Sequence, residues 1–302
     1  MDRAHAGLNP AGLAPAPRPA PVPAGERAAS IDVVRGVALL GILAVNIVMF
    51  AWPFEAYTKP APMLAKDAAG DPSALATVSW GVMNVFFYQK MVFLFSMLFG
   101  AGVLFYAKKF EGGSLSRGAA LWYTRMAWLL GIGLVHAFLL WYGDILVWYA
   151  AIGMTFIWWV RRWRPATLLA LGVPLIILGL AMLTGMTALQ AAYPPKEGQF
   201  NPASFEAEMA AYTGSYLDML KHRSIMLLFF YILMLPLMMG PYVGGVMLVG
   251  QAMMKWGWLT GQRRTRDYVL LAAIALPIGW GLALFATLEL LAAPEGAIPW
   301  QA

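Results

Sequence analysis

The chain has 302 residues, 61% hydrophobic and 12% charged, with a mean hydropathy of +0.66. A soluble domain carries about 25% charged residues; half that load, with several apolar runs near the ~20 residues that cross a bilayer, predicts an all-α, polytopic transmembrane helix bundle and excludes a soluble core. The net charge of +6 reads as membrane topology rather than nucleic-acid binding, and the lack of cysteine removes disulfides, thiolate nucleophiles and Cys-based metal sites.

Residues 1–29 run into "PAPRPAPVPAGERAAS", which is rich in Pro and Ala and has no apolar stretch of the signal-peptide kind. A disordered, partly polyproline II tail is expected there, with the first span as an uncleaved anchor. Residues 30–292 form the predicted transmembrane domain, and 293–302 a C-terminal tail. Seven spans are predicted, at about 33–52, 84–107, 119–140, 144–160, 167–189, 224–254 and 268–292.

Basic residues sort between the connections. Arg3, Arg18 and Arg27, then Lys108, Lys109 and Arg117, then Arg161, Arg162 and Arg164, and finally Lys255, Arg263, Arg264 and Arg266 fall on one side. Lys59, Lys66, Lys196, Lys221 and Arg223 fall on the other, while Arg35, Lys90 and Arg125 lie within spans. The bias predicts a cytoplasmic N-terminus and, with seven spans, an external C-terminus.

Two outer segments are long. Residues 53–83 contain Pro53, Pro60, Pro62 and Pro72 and read as a loop with room for one short helix. Residues 190–223 carry a helix start at Asn201-Pro202 and a stripe of Phe205, Met209, Tyr212, Tyr216 and Met219, with a break expected at Gly214. The stripe suits either a surface helix or a lid on the bundle. The sixth run, 31 residues or roughly 46 Å at about 1.5 Å each, overshoots a core of about 30 Å. Pro236 and "GPYVGG" imply a tilt, a kink or a broken helix, and Gly240 with Gly244 forms a GxxxG pair suited to close helix contact.

Charged and polar residues inside the membrane are costly, about 2.5–3.5 kcal/mol for a charge near the centre, and are site candidates for that reason. An inner pair, Asp32 and Arg35, shares a helix face at the start of span 1. It reads either as an anion contact by Arg35 oriented by Asp32, or as an intrahelical ion pair anchoring the span. An outer set comprises Asn46, Lys90, His136 and Asp144.

His136 and Asp144 sit in "GLVHAFLLWYGDILVWYA", residues 133–150. Along one helix they would be about 12 Å apart. The 42 residues from Ala119 to Val160 are too many for one span, so a turn at "WYGD", eased by Gly143, must fold Asp144 back toward His136. Such a pair is either a general base with its carboxylate, or a helix cap beside an interhelical histidine. His5 and His222 share no metal-site spacing with His136, so no metal or bound cofactor is predicted. No GxSxG, GxxxxGK[ST] or HExxH motif is present.

"IDVVRGVALLGILAVNI" at 31–47, "FLFSMLFGAG" at 93–102, the 133–150 run and "GGVMLVGQAMMKWGWLTG" at 244–261 together resemble the DUF418, or YeiB-like, family of bacterial membrane proteins. The "DVVRG" block is also similar to the start of the heparan-α-glucosaminide N-acetyltransferase-like proteins. That resemblance implies a plasma-membrane protein that uses cytoplasmic acyl-CoA as co-substrate and acylates a small acceptor at the outer face. On it, Asp32, Arg35, Asn46 and Lys90 are the donor- and substrate-binding candidates and His136 with Asp144 the catalytic ones. Two departures stand out: no histidine occurs between Phe50 and Gly100, where those acetyltransferases carry theirs, and the "GRxxLTNYL"-like segment of YeiB-like proteins is missing, so the chain is expected to stop short of the family pattern. A transporter and a non-catalytic sensor or assembly subunit are the other readings.

Overall fold

The computed structural model describes residues 29–51, 73–110, 115–193 and 205–292. The expectations for the N-terminal tail through residue 28, for the prolines at 53–72, for the Asn201-Pro202 start and for 293–302 lie outside these residues. Among the described residues every regular element is helical. In chain order they are α1 (Ala29–Ala51), α2 (Ala74–Phe86), α3 (Lys90–Lys108), α4 (Leu115–Val135), α5 (Leu146–Ile152), α6 (Trp158–Val160), α7 (Pro165–Ala192), α8 (Phe205–Thr213), α9 (Tyr216–Phe229), α10 (Gly240–Lys255) and α11 (Thr265–Ala292). Three π-helical stretches, His136–Leu140, Gly153–Ile157 and Phe230–Met239, extend α4, join α5 to α6 and join α9 to α10.

Among the described residues five helices are long and apolar enough to cross a membrane: Ala74–Lys108, Ser116–Leu140, Pro165–Met186, Tyr216–Lys255 and Thr265–Ala292. Leu146–Val160 is a shorter apolar helix, and it and the 23-residue α1 correspond to the other two predicted spans. The outward faces carry large apolar side chains such as Leu40, Trp128, Ile232, Ile274 and Phe285. So much exposed hydrocarbon is untenable in water and is what lipid requires. The chain is a helical membrane protein.

The core is built around α10, which packs against α7 on one side and α3 on the other. The approach is backbone to backbone. A side-chain carbon on Gly100 would run into the Met247 backbone, and one on Gly250 into the Met97 backbone. Gly172 and Gly245 meet in the same way between α7 and α10. Small residues at such crossings let the helix surfaces gain dispersion contacts where lipid supplies no hydrophobic drive. The predicted Gly240–Gly244 pair does not serve this role: Gly240 faces its own Leu235 carbonyl, and Gly244 meets the side chains of Phe156 and Ile152.

Beside this crossing, Trp122 stacks on Trp158 with centroids 5.7 Å apart. The Gly153–Ile157 stretch bends the chain, with Thr155 at φ −77° and ψ −118°. Its backbone is tied down by two buried side chains: Trp122 Nε1 donates to the Gly153 carbonyl at 2.9 Å, and Gln251 Nε2 to the Ile157 carbonyl at 3.0 Å. Gln251 Oε1 finds no partner. Gln251→Leu is therefore expected to cost only about 1 kcal/mol in a thermal melt, because losing the Nε2 bond is offset in part by removing an unsatisfied oxygen.

The long sixth run resolves as a widened helix. Residues 230–239 take a π-helical path through Pro236 until Gly240 N donates to the Leu235 carbonyl. A proline cannot donate and crowds the preceding turn; extra residues per turn absorb that conflict. The segment before span 2 has the short helix it has room for: α2 starts at Ala74, capped by Ser73 Oγ, and runs on into the predicted start of span 2. It meets α3 at a turn where Gln89 holds φ +61°.

Candidate functional site

At the end of α4 the helix widens over His136–Leu140, and Trp141 N closes it on the His136 carbonyl at 2.8 Å. The chain then turns through Trp141–Ile145 and re-enters a helix at Leu146. Gly143 permits the turn by its size. A side-chain carbon there would collide with the Trp141 ring, whereas the positive-φ glycines among the described residues are Gly257 and Gly261. The expectation that Gly143 supplies unusual backbone angles is corrected accordingly.

The fold-back brings the predicted pair together. His136 Nδ1 lies 3.0 Å from Asp144 Oδ1. Asp144 Oδ2 accepts the Val147 N–H at 2.8 Å, so the carboxylate also caps α5. The Asp144 side chain is fully buried and that of His136 is 33% exposed. Facing a carboxylate, the neutral imidazole carries its proton on Nδ1, which leaves Nε2 as a proton acceptor on the accessible side. Nε2 has no hydrogen bond to another described residue. The arrangement is that of an oriented base.

Neighbouring elements close over this end of the bundle. The Phe50 ring at the end of α1 sits 4.8 Å from that of Trp141. From α9, Tyr216 Oη donates to the Leu139 carbonyl at 3.0 Å and Arg223 Nη1 to the Phe138 carbonyl at 3.3 Å. These are carbonyls of the last turn of α4, which lack partners within the helix and favour a cation nearby. Arg223 is 3% exposed. Its Nη2 reaches the Met219 sulfur at 3.2 Å, and its guanidinium carbon lies 5.8 Å from the centre of the Tyr212 ring. Tyr212 in turn meets Tyr142 at 6.4 Å, so α8 returns onto this end through that side chain. Burial pushes the Tyr212 phenol up, the adjacent Arg223 guanidinium draws it partly back, and the buried Glu208 carboxylate adds to the rise. Gly214 breaks the predicted stripe as expected, between α8 and the Ser215 cap of α9.

The other predicted site residues lie elsewhere. Asp32 and Arg35 pair at 3.2 Å on α1, both about half exposed. Lys90 donates from Nζ to the Asn84 and Tyr88 carbonyls at 2.9 and 3.3 Å, closing the end of α2. Asn46 is half-buried on α1, and among the described residues no hydrogen bond links it or Lys90 to the dyad. Arg223, Trp141 and Tyr231 are not singled out by the sequence as site residues, and Tyr212 enters there only as part of the stripe. A usable signal exists for two of them: Tyr212, Tyr216, Met219 and Arg223 recur every three or four residues across the Gly214 break. Among the described residues no group of three or more His, Asp or Glu is arranged to hold a metal ion.

A helical membrane protein with a His–Asp pair at one end of its bundle is thus defined by the geometry. Over 281 residues it is 29% identical to "Uncharacterized protein YeiB" of Escherichia coli (strain K12), a match covering 91% of this chain and 66% of YeiB. Over 160 residues it is 35% identical to "Uncharacterized protein YxaH" of Bacillus subtilis (strain 168), covering 52% of this chain and 38% of YxaH. Both similarities support the YeiB-like resemblance, and the chain spans less than two thirds of either relative. No family model matches the chain, and no solved structure does.

Proposed function

We propose that the chain is a seven-span bacterial inner-membrane acyltransferase with a cytoplasmic N-terminus, in which His136 is the general base and Asp144 its positioning partner. The observation that carries this reading is the 3.0 Å contact between His136 Nδ1 and the buried Asp144 carboxylate, with Nε2 left open. An acceptor hydroxyl or amine gives its proton to Nε2 as its heteroatom bonds to the acyl carbon. The carbon–sulfur bond breaks, and the departing thiolate takes the proton from the imidazolium. The basic end, with Arg35 and the loops at Lys108, Arg161–Arg164 and Lys255, suits the phosphates of acyl-CoA. From Arg35 to Phe50, which contacts Trp141, α1 advances about 22 Å; the acyl arm must reach through that depth. Asn46 lies along the way.

Transfer of a labelled acyl group from acyl-CoA by the purified chain tests the reading. His136→Ala is expected to lower turnover about 10²- to 10⁴-fold without changing the melting point much, and Arg35→Ala to weaken acyl-CoA binding. Failure of wild type to bind or use any acyl-CoA overturns it. A transporter is the second reading, favoured by the ten-residue π-helical stretch at Pro236. Vesicle uptake that needs no acyl-CoA selects it.

A further inference from the structure

Arg223 is a buried cation that forms no ion pair with a described residue, although the buried Glu208 carboxylate of α8 acts with it on the Tyr212 phenol. Among the described residues no carboxylate lies within 4 Å of it, and the ion pairs present are Asp32–Arg35 and His136–Asp144. Its partners are one carbonyl, one thioether and an aromatic ring, and its Nε, though buried, has none. A guanidinium held this way is costly unless something anionic completes it.

Two more buried groups nearby are also unmatched: Trp141 Nε1 and Tyr231 Oη. Both rings pack on the small cluster of Ala137, Tyr142 and Leu227. Leu227 is one turn along α9 from Arg223, and the same cluster includes Phe138, whose carbonyl Arg223 holds. The three unmatched atoms therefore come from α9, from the Trp141 turn and from the widened helix at Tyr231, and all three can donate. Nearby Asp144 has its oxygens engaged by His136 and the Val147 N–H.

We infer that Arg223, Trp141 and Tyr231 form a phosphate-binding subsite beside His136, for an amphiphile whose head carries a phosphate group. Donors held by three separate segments around one cluster match the three free oxygens of a phosphate monoester better than the two of a carboxylate. The surrounding side chains, Tyr212, Tyr216 and Met219, suit an apolar body attached to that head. That the phosphate belongs to the acyl acceptor rests on the function proposed above; the subsite itself does not.

The test uses the purified full chain in neutral detergent with two probes: inorganic phosphate, followed by calorimetry and melting point, and phosphatidylglycerol, followed by retention in native mass spectrometry. Binding of either is expected, and the stronger arm identifies the source as a lipid headgroup or a soluble phosphate. Arg223→Met should weaken it at least about tenfold, and Tyr231→Phe about threefold or more. His136→Ala should leave it unchanged while abolishing transfer. Should Arg223→Met fail to fold, Tyr231→Phe decides alone. Absence of binding in both arms, or binding indifferent to the variants, overturns the subsite. Intact binding in a protein that transfers no acyl group refutes only the acyltransferase.

Discussion

Gly100→Ala is expected to lower the stability of the bundle by about 3 kcal/mol, read as a drop in melting point and loss of monodisperse protein in detergent. The added carbon would occupy the position of the Met247 backbone, which cannot rotate aside as a side chain could. Relief requires α3 and α10 to separate, and that loosens the contacts of Val103, Met247 and Leu248 in the same core. Gly250→Ala should act alike, since its added carbon meets the Met97 backbone across the same crossing. Because one separation relieves both overlaps, the double variant is expected to cost clearly less than the two single losses added together. Gly102→Ala is the control. Nothing lies within 4 Å of its added carbon, and alanine is the better helix former, so stability should hold or rise slightly. Equal losses at Gly100 and Gly102 would show that the crossing is not the constraint.

What the sequence made legible here follows from where its signals are local. Apolar run length places the helices, because span length is a property of each segment alone. The meeting of His136 and Asp144 was also readable: 42 residues cannot make one span, so the chain had to reverse near "WYGD". The role of Gly143 was not, since its constraint is the Trp141 ring and not its own backbone. The choice of glycines at the α10 crossings escaped for the same reason. Gly245 and Gly250 matter through what lies opposite them on α7 and α3, and no spacing rule within α10 reveals that. Arg223 counted only as a loop cation until α9 proved to run back along the end of α4 and bury it.

Asp144→Asn is expected to cut transfer by about 10²-fold or more while leaving the fold largely intact. The amide oxygen can still accept the Val147 N–H and cap α5, so only a modest change in melting point should appear. The amide nitrogen, however, then faces His136 Nδ1 as a donor. To accept from it, the imidazole must shift its own proton to Nε2, the atom that has to receive the acceptor's proton. The base is disarmed by its tautomer with its position unchanged. Asp144→Ala should do more damage to the fold, since the Val147 N–H loses its partner in a buried turn and His136 loses its orienting contact. The two variants separate the roles: a purely structural Asp144 would rank Ala far below Asn in activity, whereas an orienting carboxylate makes both inactive and only Ala unstable. Asn at wild-type turnover would remove Asp144 from the chemistry and leave it as the cap of α5.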